Sequence, residues 1–378
     1  MKIVHLSDLH LGKYVNGYSM LEDQSHILAQ ILNIIDKEEP QAVLIAGDVY
    51  DKAIPGTEAV QLFDDFLVKL SARGQKVFVI SGNHDSAERL SFAGRLMKES
   101  GVYMAPVYHG KTEPVLLTDE YGELAVYMLP FLKPANLRRF FPEQEITSYT
   151  DALRTAIGQM EIRPERRNIL VAHQFVTGAF RCDSEEISVG GTDNVDASVF
   201  EVFDYTALGH IHNPQNVGTE KVRYCGTPLK YSFSEASKEK SVTVIQFAEK
   251  GNRQIKTIPL SPKRDLKELK GSYEELTYRP FYEGTDYPES YVHITLTNEE
   301  DIPDGVLKLR TIYPYLMKLD YDNRRTRHNA VIYSTEAVEN KSAPELFEEF
   351  YESQNGTGLS EEQSAFVKAL IDRIWEEK

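Results

Sequence analysis

The sequence predicts an α/β fold in which a parallel sheet is covered by helices, followed by a smaller unit and a helical tail. The chain has 378 residues, which indicates two or three domains. Short runs rich in Val, Ile and Leu recur through its first two thirds, as buried strands require. Helical patterns separate the first three runs, and this alternation is typical of parallel βαβ units. The predicted strands are Lys2–Leu6, Ala42–Ala46, Lys76–Ile80, Leu124–Leu129, Asn168–Ala172, Tyr205–Leu208 and Ser241–Phe247.

Two helices are expected between the first three strands. Each has apolar residues on one side at helical spacing, and the second stops at Gly74, a residue type that commonly ends helices. The apolar face of the first helix consists of Leu21, Leu28, Ile31, Leu32 and Ile35. That of the second helix consists of Val60, Phe63, Phe66, Leu67 and Leu70.

The pattern changes near residue 260, and three domains are predicted. The stretch Pro259–Gly271 contains Pro and Lys and indicates a junction. A first domain at 1–260 is followed by a small α+β domain at 261–338, in which Tyr291–Leu296 and Tyr315–Leu319 have the alternation of strands. Residues 339–378 are expected to form two helices around a Gly-bearing hinge at 355–358.

Composition and charge limit the function. The chain is 41% hydrophobic and 26% charged, as globular proteins are, and no apolar run is long enough to span a membrane. Cys182 and Cys225 are far apart in sequence, which argues against a disulfide framework or a thiolate zinc site. A net charge of −16 argues against a general nucleic-acid binder, although the segment after Glu336 carries a large share of it. We expect a cytoplasmic protein.

Side chains of the kind that bind metals follow directly after five of the predicted strands. Because ligands collect beyond the carboxyl ends of strands in open α/β sheets, we expect the five segments to meet. A Gly precedes Asp48, Asn83 and His210, where it would let the backbone turn sharply. The residues in chain order are Asp8 and His10, Asp48 and Asp51, Asn83 and His84, His173, and His210 and His212.

The residue types indicate two divalent cations. Carboxylate, imidazole and amide ligands without thiolates suit Mn²⁺, Fe²⁺, Co²⁺ or Zn²⁺. Alternate residues of an extended segment share a face, so a D-x-H or H-x-H pair should present both side chains together. One metal is expected to bind Asp8, His10 and His212, and the other Asn83, His173 and His210, with Asp48 as the bridge.

This arrangement predicts phosphodiester hydrolysis. Two cations about 3.5–4 Å apart hold a phosphate and lower the pKa of a shared water. His84 is then expected to stabilise the phosphoryl oxygens or to protonate the leaving oxygen. Asp51 would either orient His84 or cap the turn that follows it.

Each motif also has a structural interpretation. A single His after a strand is usually a hydrogen-bonded polar residue, and an isolated Gly-Asp or Asp-x-His pair is common. The segments 82–85 and 209–212 are more specific, and the whole set in this order rarely arises by chance. The remaining histidines are expected to be structural or solvated, namely His5, His26, His109, His293 and His328.

The combination of DxH, GDxxD, GNHD, a later His and GHxH resembles the calcineurin-like metallophosphoesterases. The segments SDLHLGK, GDVYDKAIP, SGNHDSAERL, AHQFVTGA and VRYCGTPLKYSFSE are further similar to the family of nuclease subunits from bacterial SbcC–SbcD complexes. The resemblance implies a four-layer αββα sandwich, a small capping domain and a partner-binding helical tail. It implies Mn²⁺ ligands at Asp8, His10, Asp48, Asn83, His173, His210 and His212, with His84 in catalysis. Position 51 is Asp here and His in some archaeal relatives.

The resemblance also implies substrates and partners. The implied activities are 3′→5′ exonuclease activity on double-stranded DNA ends and endonuclease activity on single strands and hairpins. The implied partner is an SbcC-type SMC ATPase, which forms a heterotetramer with a pair of nuclease chains. The chain has no GxxxxGK[ST] segment, so any ATP dependence must come from the partner. Candidate DNA contacts are Lys13, Arg138, Arg139, Arg324, Arg325 and Arg327.

Two other functions stay open at this point. A phosphodiesterase of the same fold could act on a small molecule, although such an enzyme has little use for the long extension after residue 260. A scaffold could keep the fold without binding metals, although every expected ligand is present.

The C-terminal helix is predicted to bind the partner protein. Ser360 and Gln363 have the spacing of a capping box, as do Ser342 and Glu345 before the preceding helix. The alternative is that both helices pack onto their own protein. The apolar stripes consist of Leu346, Phe347, Phe350 and Tyr351 in the first helix, and Phe366, Val367, Leu370, Ile371, Ile374 and Trp375 in the second.

Overall fold

The computed structural model describes residues 1–185, 193–326, 342–355 and 358–376, and the chain divides into two compact units. The first unit is Met1–Leu266 and the second is Lys267–Lys378. Their boundary lies within the stretch Pro259–Gly271. The three-part division at residues 260 and 338 stays a prediction, and residue 338 lies outside the described residues.

Strands and helices alternate through the first unit and recur in the second. The strands are β1 (Lys2–Leu6), β2 (Tyr14–Val15), β3 (Tyr18–Ser19), β4 (Ala42–Ala46), β5 (Lys76–Ile80), β6 (Val102–Met104), β7 (Val115–Asp119), β8 (Gly122–Leu129), β9 (Arg167–His173), β10 (Phe175–Val176), β11 (Asn194–Val195), β12 (Tyr205–Gly209), β13 (Gln215–Val217), β14 (Thr219–Tyr224), β15 (Ser241–Phe247), β16 (Arg253–Pro259), β17 (Leu266–Gly271), β18 (Tyr291–Leu296) and β19 (Leu316–Tyr321). The α-helices are α1 (Leu21–Glu38), α2 (Thr57–Ala72), α3 (Ala87–Leu90), α4 (Gly94–Met97), α5 (Pro134–Arg138), α6 (Tyr149–Gly158), α7 (Tyr273–Thr277), α8 (Arg279–Tyr282), α9 (Gly305–Arg310), α10 (Ala343–Asn355) and α11 (Glu361–Glu376).

Two six-stranded sheets form the first unit. Their strand orders are β16-β15-β1-β4-β5-β6 and β13-β14-β12-β9-β8-β7. The parallel pairing of β1 with β4 and of β4 with β5 confirms the βαβ units predicted from the sequence. The antiparallel strands β15 and β16 complete one side of the first sheet, so that sheet is mixed.

The sheets pack face to face and carry helices on their outer faces. Ala42 and Leu44 of β4 share one buried cluster with Val126 and Ile169 of the second sheet. On that sheet's other face, Leu170 belongs to a cluster that also contains α6 residues. Helix α2 packs on β5, and α1 packs on α2. These layers confirm the αββα sandwich; one residue departs from the predicted helix faces, since Val60 of α2 is exposed.

A buried ion pair ties the start of β9 to the end of β7. The Arg167 guanidinium donates to both carboxylate oxygens of Asp119, at 3.0 and 2.5 Å, and to the carbonyls of Gly122 and Ala248. The Arg167 hydrogen bonds hold the pKa of Asp119 well below its ordinary value. The charge of Asp119 is therefore balanced by a partner within the chain.

The second unit has a three-stranded sheet of its own, in the order β17-β18-β19. Strand β17 occupies part of the stretch in which the sequence indicated only a junction, because Leu266 and Leu269 are buried although their neighbours are polar. The predicted strand at 291–296 is confirmed, and the one at 315–319 forms as β19, shifted by one or two residues. Tyr313 is buried in the core of this unit and its hydroxyl donates to the carbonyl of Leu276 at 2.6 Å.

The two C-terminal helices pack on each other and begin with the predicted caps. Ser360 Oγ accepts from the Gln363 amide at 3.3 Å, and the Gln363 side chain accepts from the Ser360 amide at 2.9 Å. Between α10 and α11 lies an apolar groove of about 290 Å³, lined by Phe347 and Phe366 among others, and Phe366 is 69% exposed. The side chains of Ile374 and Trp375 lie outside the described residues. Within the described ranges, no helix is both long enough and apolar enough to cross a membrane.

Candidate metal centre

The predicted segments converge where the two sheets meet. β1, β4 and β5 of the first sheet and β9 and β12 of the second deliver their carboxyl ends to this point, and Gly209 of β12 pairs with His173 of β9. Asn83 and His84 are half-buried, as is Asp51. The fully buried members are Asp8, His10, Asp48, His173, His210 and His212.

Four of the predicted ligands have a left-handed backbone. Asp8, His10, Asp48 and His210 have φ values of 52°, 45°, 49° and 102°. The expectation that Asp8 and His10 share an extended segment was therefore wrong: each sits in a sharp turn that brings its side chain inward. Such conformations cost about 1–3 kcal/mol each and occur where surrounding structure enforces them. Here the Asp8 amide donates to the Gly47 carbonyl and the His10 amide to the Asp48 carbonyl, both at 3.0 Å.

Two of the glycines in these segments are required by close approach. A Cβ on Gly82 would lie 2.0 Å from Asp48 Oδ1, and a Cβ on Gly209 would lie 1.9 Å from the Ala46 carbonyl oxygen. A side chain at the first position would displace a ligand, and one at the second would push β12 away from β4. Glycine at these two positions thus allows a close approach that any Cβ atom would prevent.

His173 shows most directly that the centre suits a cation. Its Nδ1 lies 2.8 Å from the Ala46 carbonyl, which can only accept, so Nδ1 carries the hydrogen. Its Nε2 then faces two further oxygens, Asn83 Oδ1 at 3.0 Å and Asp48 Oδ2 at 3.4 Å. Burial opposes a charge on this ring, but the Asp48 carboxylate outweighs it and raises the pKa of His173 to about 9. A positive charge at Nε2, carried by a proton or supplied by a metal ion, stabilises this approach of the ring to two oxygens.

A second convergence involves His10 and His212. Their Nε2 atoms lie 3.2 Å apart, and Asp8 belongs to the same group of ligand atoms, all within 4.8 Å of one another. Burial lowers the pKa of both rings well below the ordinary value, which keeps them neutral and able to bind a metal. Burial raises the pKa of Asp8 to about 7.

Asp48 lies between the two sets of ligands. Its Oδ2 is 3.7 Å from His10 Nε2 and 3.4 Å from His173 Nε2. His210 Nδ1 is 2.9 Å from Asn83 Oδ1 on the second side. The donors are two carboxylates, four imidazoles and an amide oxygen, a set that fits two borderline cations with Asp48 shared between them.

His84 stands at the edge of this cluster. Its amide donates to Asp48 Oδ1 at 2.9 Å, and its Nδ1 lies 3.1 Å from the main-chain carbonyl of Asp51. The contact from position 51 thus comes from the backbone, whereas the Asp51 carboxylate accepts from Lys13 Nζ at 2.7 Å. Asp85 fixes the same loops, since its carboxylate accepts from the amides of Val49, Tyr50 and Gly82 at 2.9–3.1 Å.

Sequence reasoning missed the residues behind His212. Its Nδ1 donates to Ser184 Oγ at 2.6 Å, and that hydroxyl donates to Glu235 Oε1 at 2.7 Å. Lys240 pairs with Glu235 and also donates to the His212 carbonyl at 2.8 Å. Glu235 is fully buried, and although burial raises its pKa, the Lys240 ammonium lowers it below the ordinary value. A buried Glu five residues before a buried Lys is too weak a pattern to find in one sequence.

Several of the remaining candidates have partners within the chain, and the DNA contacts among them stay predictions. His5 lies 3.0 Å from the Tyr205 hydroxyl and 3.2 Å from the Leu208 carbonyl, and burial lowers its pKa to about 3. Among the basic candidates, Arg138 donates to the Ile146 carbonyl and Arg325 pairs with Asp301. Arg327 and His328 lie outside the described residues.

Profiles of two known families match the chain. A profile for the calcineurin-like phosphoesterases matches residues 1–214, and one described as the type 5 capsule protein repressor C-terminal domain matches residues 262–355. The fold, the histidine-rich centre and the first profile place the chain among the calcineurin-like phosphoesterases.

Two full-length relatives identify a more specific family within this superfamily. The SbcD subunit of nuclease SbcCD from Staphylococcus epidermidis is 31% identical over 99% of this chain and 99% of its own. The protein of the same name from Staphylococcus saprophyticus is 31% identical over 100% of this chain and 99% of its own. The chain therefore belongs to the SbcD family of SbcCD nuclease subunits. A solved dimetal phosphatase from Danio rerio overlaps 68% of this chain and 95% of its own at 11% identity and a TM-score of 0.41, which is too distant to carry an argument.

Proposed function

We propose that the chain is a Mn²⁺-dependent DNA nuclease, with 3′→5′ exonuclease activity on double-stranded ends and endonuclease activity on single strands and hairpins. The observation that carries the proposal is the position of Asp48 between two sets of buried ligands, with His173 Nε2 directed at oxygens. Family membership supports the choice of nucleic acid over a small phosphodiester. The ligand set argues against a scaffold that binds no metal.

We assign the proposed ligands to two cations in the same way as in the sequence analysis. Asp8, His10 and His212 would hold one cation, Asn83, His173 and His210 the other, and Asp48 both. Bound divalent cations would polarise the phosphate and make a water a better nucleophile. The backbone turns at four of the ligands and the hydrogen bonds of Asp85 would fix the ligand positions before substrate binds. Little reorganisation would then be needed during the reaction.

The geometry defines what His84 can do. Because the Asp51 carbonyl only accepts, His84 Nδ1 carries a hydrogen, and Nε2 donates only when the ring is an imidazolium. We infer that the imidazolium either donates a hydrogen bond from Nε2 to a phosphoryl oxygen and stays charged, or transfers its Nε2 proton to the leaving oxygen and becomes neutral. The Asp51 main chain would then act as the positioning group for His84.

The proposed partner is an SbcC-type SMC ATPase that binds the C-terminal helices. Their exposed Phe347, Phe350 and Phe366 form an apolar surface that suits a helix-in-groove or coiled-coil contact. We further propose a cytoplasmic location and a pair of nuclease chains in the assembly.

One experiment separates the candidate functions. With Mn²⁺, the chain should hydrolyse bis-p-nitrophenyl phosphate and also nick circular single-stranded DNA. Hydrolysis of the small ester alone would favour a small-molecule enzyme, and activity on neither would favour a scaffold. Calorimetric titration should give two Mn²⁺ ions per chain; a single ion would contradict the proposed division of ligands.

A further inference from the structure

A groove of about 520 Å³ opens directly beside the metal centre in the first unit. Its wall includes Asn213, which follows the ligand His212, and residues of β14, β15 and β16. That volume is in the range of sites that enclose one small organic molecule. None of the groove residues belongs to the proposed ligand set.

Phe180 lies on the rim of this groove and is 80% exposed. Its main chain is fixed on both sides, since its amide donates to Gln215 Oε1 at 2.9 Å and its carbonyl accepts from Gln215 Nε2 at 2.8 Å. An exposed ring on a fixed backbone offers an apolar face at a small entropy cost on binding. Bases of any sequence stack on such rings.

The charges in the groove are of the opposite sign to those of the whole chain. The Arg223 guanidinium donates to the neutral Thr243 Oγ1 at 3.3 Å and Asn216 Oδ1 at 2.7 Å, and forms no ion pair with any described residue. Lys238 is exposed and likewise has no carboxylate partner within the described ranges. Glu239 is the one acidic side chain among the groove residues given by the structure. Two unpaired cations in a chain of net charge −16 mark a local preference for an anion.

A polar atom in the groove also lacks a partner. Asn213 Oδ1 is buried and accepts no hydrogen bond from any described residue. A buried acceptor without a donor is costly, and a ligand N–H would satisfy it. The exocyclic amino group or ring N–H of a nucleobase is a donor of this kind.

A chain of ring contacts leads from the metal centre to the residue next to Phe180. Phe175 lies 6.4 Å from His210, ring centre to ring centre, and the Arg181 guanidinium lies 3.6 Å from the centre of the Phe175 ring. Arg181 is the neighbour of Phe180 in the chain. These contacts connect the metal centre to the segment that carries Phe180.

We infer that this groove binds an unpaired nucleotide of the DNA strand that is being cut, a conclusion that rests on the proposed nuclease function. The base stacks on Phe180 and donates to Asn213, while the adjoining phosphates lie near Arg223 and Lys238. The site therefore selects strands that are already single-stranded or frayed next to the scissile bond.

The test compares Phe180→Ala with Phe180→Tyr and with Phe92→Ala, which removes an exposed ring outside the groove. A single-stranded oligonucleotide with one 2-aminopurine is titrated in EDTA, so that no cleavage occurs. Phe180→Ala should weaken binding about 5- to 150-fold and abolish the stacking-induced fluorescence quench. Phe180→Tyr and Phe92→Ala should bind and quench as the unmodified chain does. Lys238→Ala removes one phosphate contact, so the decrease of log K with log salt concentration should become less steep, by about 0.7 in slope.

Mn²⁺-dependent hydrolysis of bis-p-nitrophenyl phosphate should be the same in all variants, because the small ester does not reach the groove. If Phe180→Ala binds and quenches normally while the unmodified chain cleaves DNA, the groove proposal is wrong and the nuclease proposal stands. If Phe180→Ala also loses ester hydrolysis, the ring has a structural role and the groove proposal is wrong. If the unmodified chain cleaves no DNA, the nuclease proposal itself fails.

Discussion

In most proteins charged side chains are exposed and large apolar side chains are buried. The metal centre and the C-terminal helices depart from this rule in opposite directions. At the centre, carboxylates and imidazoles such as Asp8, Asp48 and His173 are buried among strands. In the helices, large apolar side chains such as Phe350 and Phe366 face solvent. Buried charge is costly unless it is paired, and exposed apolar patches mark contact surfaces. The buried charges therefore suit bound cations, and we propose that the exposed apolar surface binds a partner protein.

The two regions also differ in how they are held. The ligands lie at the ends of strands in two packed sheets, where four left-handed residues are kept in place by the surrounding structure. Helices α10 and α11 have 13 and 16 residues, lengths at which a helix without tertiary contacts is marginal in water. The centre is held by the packed sheets around it, whereas a partner that covers the helices is expected to stabilise them.

The largest expected effect separates metal binding from catalysis. Asp48→Ala should remove both bound Mn²⁺ ions and reduce cleavage to background, because Asp48 contacts both sets of ligands. His84→Gln should keep both ions and lower kcat about 100- to 1,000-fold. Asp51→Asn, which keeps the main-chain carbonyl, is the matched control and should lose far less activity than His84→Gln. Calorimetry with Mn²⁺ and a nicking assay measure the two properties, and equal loss of metal in both main variants would contradict the division of roles.

A second prediction concerns the helices. Phe366→Asp should weaken binding to the ATPase about 30-fold or more, as expected for an aromatic residue central to an interface. Ester hydrolysis and Mn²⁺ binding should not change. Co-purification and a binding titration test this, with Val68→Asp in α2 as an exposed apolar control. Early melting or aggregation of Phe366→Asp would instead assign the helix to the chain's own core.

The residues behind His212 allow a finer test of the centre. Glu235→Gln should lower Mn²⁺ affinity about 10- to 100-fold, since Ser184 would lose the carboxylate that polarises it toward His212. The exposed Glu145→Gln should bind Mn²⁺ normally. Affinity measured by calorimetry, alongside thermal melting in EDTA, separates the loss of ligand orientation from a loss of stability. An unchanged affinity in Glu235→Gln would show that the network acts only on stability.

Asp119 and Arg167 form an intermediate case, a buried charge with a partner inside the chain. Arg167 holds the pKa of Asp119 below its ordinary value, so the pair stabilises the fold at neutral pH, and this contribution is lost progressively as pH falls from the ordinary carboxyl pKa of about 3.9 toward the lowered pKa of the folded state. Asp119→Asn should reduce the free energy of unfolding by about 1–3 kcal/mol at pH 7, and by less below about pH 4. Urea unfolding in EDTA at both pH values measures this. A difference that does not depend on pH would contradict it.

The strands that carry the ligands could be predicted because they are buried on both faces. β1, β4 and β5 read as continuous apolar runs, and their observed bounds equal those predicted. Strands β14 and β16 were missed because the TEKVRY and RQIKTIP segments alternate with exposed polar residues and offer no such run.

The centre was predictable in its residues and not in its backbone. Ligand types after successive strands indicate where side chains meet, since topology brings strand ends together. The left-handed turns at Asp8 and His10 depend on contacts with the 47–48 segment, more than 30 positions along the chain. Separation in sequence also hides Ser184 and Glu235, whose roles appear only when residues from separate loops come into contact.

The pairing of β1 with β15 has a consequence for the protein during its synthesis. One edge of β1 pairs with β4, which is synthesised early. The other edge pairs with β15 (Ser241–Phe247), and the ligands His210 and His212 are synthesised only shortly before that strand. At 5–20 residues per second, a ribosome needs roughly 12–50 s to reach that strand. A nascent chain therefore carries its first ligands for most of that time without the last ones, and the order of translation itself delays the appearance of a hydrolytic centre until the sandwich can close.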